Sequence, residues 1–192
     1  IWPEEELPAL GPAFKAMGRR VVDVGILVAK AADRYAHGET SGAYPAAKLS
    51  TIIEESLCAK GRLLHYFPLA ERKATEDTSF SDWCGWHNDH GSLTGLLPAM
   101  YMDEAGAEVP SPDPEAGLYI RERSGAVVKA NVPAGTENYL MFQIGETAQI
   151  HSGGVLQATP HAVRGVSAPG VSRETFAVFM EPCWDEPMVA PE

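Results

Sequence analysis

Trp86-His87-Asn88-Asp89-His90-Gly91-Ser92-Leu93-Thr94 is the stretch whose reading decides the fold. His87 and Asp89 stand two apart, and on a β-strand positions i and i+2 share a face. An imidazole and a carboxylate then converge on one point. They make two thirds of a 2-His-1-carboxylate facial triad, a ligand set that suits Fe(II) outside haem and leaves positions open. A lone His-x-Asp often arises by chance, so the reading turns on what the rest of the chain adds.

Three histidines follow Asp89 as candidates for the second imidazole: His90, His151 and His161. His90 is adjacent to Asp89 and on a strand points to the opposite face. His151 precedes Ser152-Gly153-Gly154 and is expected at a turn. His161 lies in Leu156-Gln157-Ala158-Thr159-Pro160-His161-Ala162-Val163-Arg164, is expected mid-strand, and is the choice. His90 and His151 then read as structural groups, or as groups bracing a metal site from outside.

Further on, Arg173-Glu174-Thr175-Phe176-Ala177-Val178-Phe179-Met180 reads as a strand. Its parity puts Arg173, Thr175, Ala177 and Phe179 on one face. A guanidinium among apolar neighbours is costly without a partner. A carboxylate is the natural one, because Arg meets it with a planar fork. Either a bound carboxylate or an internal Asp or Glu satisfies that need.

The composition is that of an ordinary globular protein. The 192 residues are 45% apolar and 21% charged, enough for one domain with a core. Lys and Arg number 15 against 26 Asp and Glu, a net charge of −11. That balance argues against nucleic-acid binding, which needs clustered cations. No apolar run reaches membrane-span length. The acidic start, Ile1-Trp2-Pro3-Glu4-Glu5-Glu6, lacks the basic-then-apolar order of a signal peptide. An intracellular setting, cytoplasmic or organellar, is the expectation. Ile1 in place of Met suggests a piece of a longer chain. Cys58, Cys84 and Cys183 are few, odd in number and far apart, and read as small buried hydrophobes.

Along the chain, Phe14, Met17, Val21, Val24, Val28, Ala31 and Tyr35 recur at spacings of three and four. They predict one apolar face of a helix over 12–37, with Lys15, Arg19, Arg20 and Asp33 on its solvated side. A second helix is expected over 45–59, with Leu49, Ile52, Ile53 and Leu57 inward and Gly61 as its stop. Arg62–Phe67 reads as a strand ended by Pro68, and 71–82 as a loop. Past 83, short strands are expected near 84–90, 93–97, 117–122, 126–130, 139–144, 155–164 and 174–181. Residues 103–116 and 131–138 read as exposed loops. The pattern predicts an α+β chain, mainly β, with helices first.

The order His87-x-Asp89, His161, Arg173-x-Thr175 resembles that of the Fe(II)/2-oxoglutarate-dependent dioxygenase superfamily, in its plant-type, isopenicillin N synthase-like branch. That family's order is H-x-D, a distant His, then R-x-S. The stretch 86–94 is similar to the family's W-H-x-D-x-G-x-x-T. Asn138 to Ile150 resembles its strand ending in V-N-I-G-D-x-L-Q, and Ser152-Gly153-Gly154 its turn before the last ligand. His65-Tyr66-Phe67-Pro68 resembles its N-x-Y-Y-P strand, with Phe67 at the place of a Tyr hydroxyl near the co-substrate.

The resemblance implies a double-stranded β-helix (jelly roll) of residues 61–192, with a helical segment, 1–60, packed on it. It implies Fe(II) held by His87, Asp89 and His161, and 2-oxoglutarate held through its distal carboxylate by Arg173 and Thr175. It implies O2 as oxidant and a small organic substrate, with no side chain acting as a general base. Val163 and Phe179 are expected as apolar walls, and Trp86 outside the pocket. Two other readings remain: an oxidase of the isopenicillin N synthase type, in which Arg173 and Thr175 hold the substrate's own carboxylate, and a jelly-roll binding protein that keeps the metal without turnover.

Overall fold

The computed structural model describes residues 2–69, 83–131, 138–166 and 168–191. The expected loop at 71–82 lies outside these residues, as does most of 131–138. The elements in order are α1 (Leu10–Glu39), α2 (Lys48–Glu55), β1 (Lys60–Tyr66), β2 (Cys84–His87), β3 (Leu93–Leu96), β4 (Met100–Met102), β5 (Glu108–Val109), β6 (Gly117–Arg121), β7 (Val127–Lys129), β8 (Met141–Ile144), α3 (Glu146–His151), β9 (His161–Arg164) and β10 (Ser172–Met180).

The strands form two antiparallel sheets. The larger has the order β5-β4-β10-β3-β8, with β1 on the free side of β10; the smaller has the order β2-β9-β6-β7. β10 is the spine of the larger sheet, pairing β1 on one side and β3 and β4 on the other. Its residues alternate by strand parity. Phe176, Val178 and Met180 belong to the core beneath α1, while Arg173, Thr175, Ala177 and Phe179 line a cavity.

α1 carries its apolar face onto that core. Its buried positions are Gly11, Val21, Gly25, Ala29, Asp33 and Ala36, a stripe that rotates away from the expected one. Met17 and Tyr35 are exposed, because the helix meets the sheet through small residues. A Cβ on Gly25 would stand 2.7 Å from the Met180 sulfur, and one on Gly95 of β3 would stand 2.3 Å from Val21 Cγ1. Close approach of helix and sheet is what those glycines permit.

Asp33 corrects the sequence reading most sharply. Expected on a solvated face, it is fully buried. Its carboxylate accepts from the backbone N–H of Leu49 (2.8 Å) and Ser50 (2.9 Å), from Ser50 Oγ (2.6 Å) and from the Tyr44 hydroxyl (2.7 Å). The start of α2 has no side-chain cap of its own, and Asp33 supplies one from α1, satisfying donors that a helix start leaves open. Burial and Asp33 together push the Tyr44 phenol well above its ordinary pKa.

Other bounds shift. α2 spans 48–55, not 45–59; Leu57 lies beyond it, almost fully exposed, and Gly61 belongs to β1. The expected loop 103–116 contains β5, which pairs with an unforeseen β4. The predicted strands at 139–144 and 155–164 shrink to β8 and β9, and α3 follows β8 directly. All three cysteines are free and partly exposed rather than buried. No helix among the described residues is long and apolar enough to cross a membrane.

Candidate metal centre and its cavity

β2 ends at His87, and the smaller sheet pairs this residue with His161, the first residue of β9. The two imidazole centroids lie 4.1 Å apart. Asp89 follows in a loop rather than on the strand, so strand parity is not what aims it. The loop is carried by the junction of β8 and α3. Glu146 donates its N–H to Asp89 O (2.8 Å), and its carboxylate accepts from Asn88 Nδ2 (3.0 Å) and His90 Nδ1 (2.7 Å). Thr147 Oγ1 donates to His90 O at 2.6 Å. Gly145 makes this seat possible: a Cβ there would stand 2.1 Å from Gly91 O and 3.0 Å from Asp89 O.

So placed, one ligand atom from each of His87, Asp89 and His161 lies within 4.8 Å of the others. Asp89 Oδ1 is 3.9 Å from His87 Nε2 and 3.7 Å from His161 Nε2. The other imidazole nitrogens are committed. His87 Nδ1 donates to Gly85 O (2.8 Å) and His161 Nδ1 to Thr159 O (3.0 Å). A backbone carbonyl on Nδ1 fixes the tautomer, so each Nε2 turns a bare lone pair toward Asp89. Burial lowers the His161 pKa, with a smaller contribution from neighbouring His87, a shift that favours the neutral form a metal ligand needs. Two imidazole Nε2 atoms and one carboxylate oxygen converging on one point are a donor set that fits a divalent transition metal.

The triad opens into a cavity of about 930 Å³ lined from both sheets. Arg173, on β10, faces it. The side chain is buried, and among the described residues neither Nε nor Nη1 has a hydrogen-bond partner. No acidic group forms an ion pair with it among the described residues. Its guanidinium stacks 5.1 Å from the Tyr66 ring. Thr175 also lines the cavity, with its hydroxyl proton given to Leu97 O at 3.1 Å.

β1 corrects the place given to Phe67. The strand register pairs Tyr66 with Arg173 and Leu64 with Thr175. Arg62, Leu64 and Tyr66 therefore face the cavity, while Phe67 is 74% exposed. Tyr66 is the hydroxyl beside Arg173. Burial raises its pKa, and the charge of Arg173 works against that rise. Gln143 is a second group the sequence reading missed. It lies opposite Thr94 on the cavity face of β8 and donates to Asp89 Oδ2. Alternation along β1 and β8 carried both signals, once their inward faces were known.

The remaining expected residues sort cleanly. Val163 and Phe179 line the cavity. Trp86 does not, and Arg121 stacks 4.8 Å over its ring. His90 is exposed on Glu146, whose hydrogen bond raises the His90 pKa. His151 ends α3 rather than occupying a turn. It is buried, with Nε2 3.0 Å from Pro187 O.

Comparison of the whole chain with solved structures decides the architecture. A full-length Neurospora crassa protein, solved in complex with alpha-KG, superposes on 96% of this chain and 51% of its own at a TM-score of 0.65 and 20% identity. JOX2, solved with 2OG, Fe and JA, covers 96% of this chain and 46% of its own, with a TM-score of 0.60 and 19% identity. The fold is that of the Fe(II)/2-oxoglutarate oxygenases. AtDAO1, a dioxygenase for auxin oxidation from Arabidopsis thaliana solved with 2-oxoglutarate, covers 80% of this chain and 50% of its own, with a TM-score of 0.53 and 22% identity. The chain thus spans about half the length of these oxygenase-fold structures. No protein-family model and no curated protein matches its sequence.

Proposed function

We propose that the protein is an Fe(II)- and 2-oxoglutarate-dependent oxygenase acting on a small organic substrate. The observation that carries this reading is Arg173: a buried guanidinium, without an acid among the described residues, facing the same cavity as a His-Asp-His triad. A triad alone fits many metal proteins. A triad with an open fork across a common cavity calls for a ligand bearing a carboxylate at one end and metal-binding oxygens at the other. 2-Oxoglutarate has both.

His87 Nε2, Asp89 Oδ1 and His161 Nε2 would hold the metal. Arg173 would take the distal carboxylate of 2-oxoglutarate, with Tyr66 beside it. Thr175 would join once its hydroxyl turns from Leu97 O. Fe(II) so held, with 2-oxoglutarate and O2, supplies the oxidising power for C–H oxidation, with succinate and CO2 as co-products. The chain's own tasks are to bind, orient and exclude water: Leu64, Val163 and Phe179 present apolar surface to the space where a substrate would sit. The two sheets would wrap as a double-stranded β-helix, residues 61–192, with 1–60 packed on it as part of one domain.

Anaerobic calorimetry of the Fe(II)-loaded protein with 2-oxoglutarate tests the co-substrate. Mass spectrometry of a small-metabolite mixture after aerobic incubation tests turnover. Succinate release with a substrate gain of one oxygen is expected. Absence of 2-oxoglutarate binding would transfer the site to an oxidase that uses no oxo acid; binding without succinate would make it a non-catalytic metal protein.

A further inference from the structure

The larger sheet touches the triad through Gln143. Its amide Nε2 donates to Asp89 Oδ2 and lies 3.1 Å from His161 Nε2. The smaller sheet and its following loop supply all three triad residues, so Gln143 reaches them from the facing wall. An amide nitrogen has two protons, and here each has an acceptor. One is Asp89 Oδ2; the other is the His161 Nε2 lone pair.

We propose that Gln143 is a positioning residue that makes Asp89 a one-oxygen ligand. The inference rests on the metal reading of the triad. Asp89 Oδ1 already faces both imidazoles, at 3.9 and 3.7 Å. With Oδ2 tied to the amide, only Oδ1 is free to coordinate. A carboxylate without that tie can turn and chelate through both oxygens, taking a position that co-substrate or O2 needs. In the metal-free protein the second amide proton also occupies His161 Nε2, so the acceptors are held in a coordinating arrangement before a cation arrives. Metal entry displaces the amide from His161 and leaves the bond to Asp89 intact. Groups that brace ligands in this way are typically worth about 10- to 100-fold in metal affinity.

The test uses Co(II) as a spectroscopic probe in the intact chain, wild type against Gln143→Met, which keeps the length and removes both donors. Expected are a dissociation constant roughly 10- to 100-fold weaker and a changed visible Co(II) spectrum, its absorption weakened as the carboxylate adds a second oxygen. A merely structural role for Gln143 would lower the thermal midpoint of the metal-free protein and leave the spectrum of the Co(II) complex as in wild type. Equal affinity and equal spectra in the two proteins would overturn the inference while leaving the triad intact. Failure of wild type to bind Co(II) at all would instead overturn the metal reading, and the inference with it. Gln143→Ala replaces Met if that variant does not fold, with the same expected changes.

Discussion

Replacing Arg173 by Met separates a ligand-binding guanidinium from a structural one, because the two roles move stability in different directions. In the ligand-free protein Arg173 is buried without an acid, and two of its nitrogens have no acceptor among the described residues. Its favourable contact among those residues is the stack over Tyr66 at 5.1 Å, worth about 0.5–2 kcal/mol. Against that stands a buried charge with no acid beside it among the described residues, which Met removes while keeping apolar volume on the ring. The net change in the ligand-free state is expected within about 1 kcal/mol, or roughly 2–4 °C in midpoint for a chain of this size. Breaking a true buried ion pair would cost about 3–5 kcal/mol, a fall of roughly 6–20 °C.

The ligand-bound state behaves oppositely. Truncating one partner of a buried charge pair costs about 2–5 kcal/mol, which weakens 2-oxoglutarate roughly 30- to 4,000-fold. At 100 times its dissociation constant a ligand stabilises wild type by about 2.7 kcal/mol, or roughly 5–11 °C. Anaerobic thermal melts of the metal-loaded proteins, with and without 2-oxoglutarate, read both effects. The expected pattern is a near-wild-type melt without co-substrate and, with it, a shift cut to about a third of the wild-type one or less. Arg173→Lys should recover part of the shift, since an ammonium lacks the fork. A steep fall in the ligand-free midpoint together with an unchanged co-substrate shift would refute the reasoning.

Four further outcomes are expected. Asp89→Ala should lose most bound metal by elemental analysis, whereas His90→Ala and His151→Ala should retain it, since neither histidine is in the triad. Tyr66→Phe should raise the apparent KM for 2-oxoglutarate and Phe67→Ala should leave it unchanged, because only the former faces the cavity. Gly145→Ala forces a methyl into Gly91 O; it should cost about 1–3 kcal/mol or more in urea unfolding, and displace Asp89 enough to weaken metal. Tyr44→Phe strips a donor from buried Asp33 and an acceptor from the Leu49 N–H, and should cost about 1–3 kcal/mol. The Tyr44 folded pKa is raised, so its share of stability is present below the unfolded value near 10 and is lost as pH rises above it. Wild type should therefore lose stability above about pH 10 more steeply than Tyr44→Phe, by urea midpoints across pH.

The residues brought to the cavity were largely legible, and the local reasons less so. His87 and Asp89 were paired through strand parity, yet the strand stops at His87 and Asp89 is aimed by backbone contacts with Glu146. Those contacts join positions more than fifty residues apart, beyond the reach of any local pattern. His161 was placed correctly on a strand, at its first residue rather than its middle. No helix was read over 146–151, where only a turn at His151 was expected, because six residues are too few to display a helical period against a β-rich background. Asp33 was assigned to solvent by its charge. Two of its four donors are backbone N–H groups of a second helix, which leave no trace in residue identity, and the two hydroxyls, of Tyr44 and Ser50, lie more than ten residues away. Tyr66 and Phe67 differ only by parity, and two adjacent aromatics do not announce which one turns inward.

The separation of anchors between the two sheets gives the cavity a gauge. The triad residues belong to one wall, and Arg173 to the other, so the span between them is set by the side chains that hold the walls apart. Facing sheets stand about 10 Å from one another, and Leu64, Leu118 and Val163 are among the spacers here. A diacid held at both ends, as the proposed function requires, would have to match that gap in length. Discrimination by length would then reside in the apolar spacers rather than in the charged groups that touch the ligand. Trimming a spacer should retune which homologue fits without altering a single polar contact.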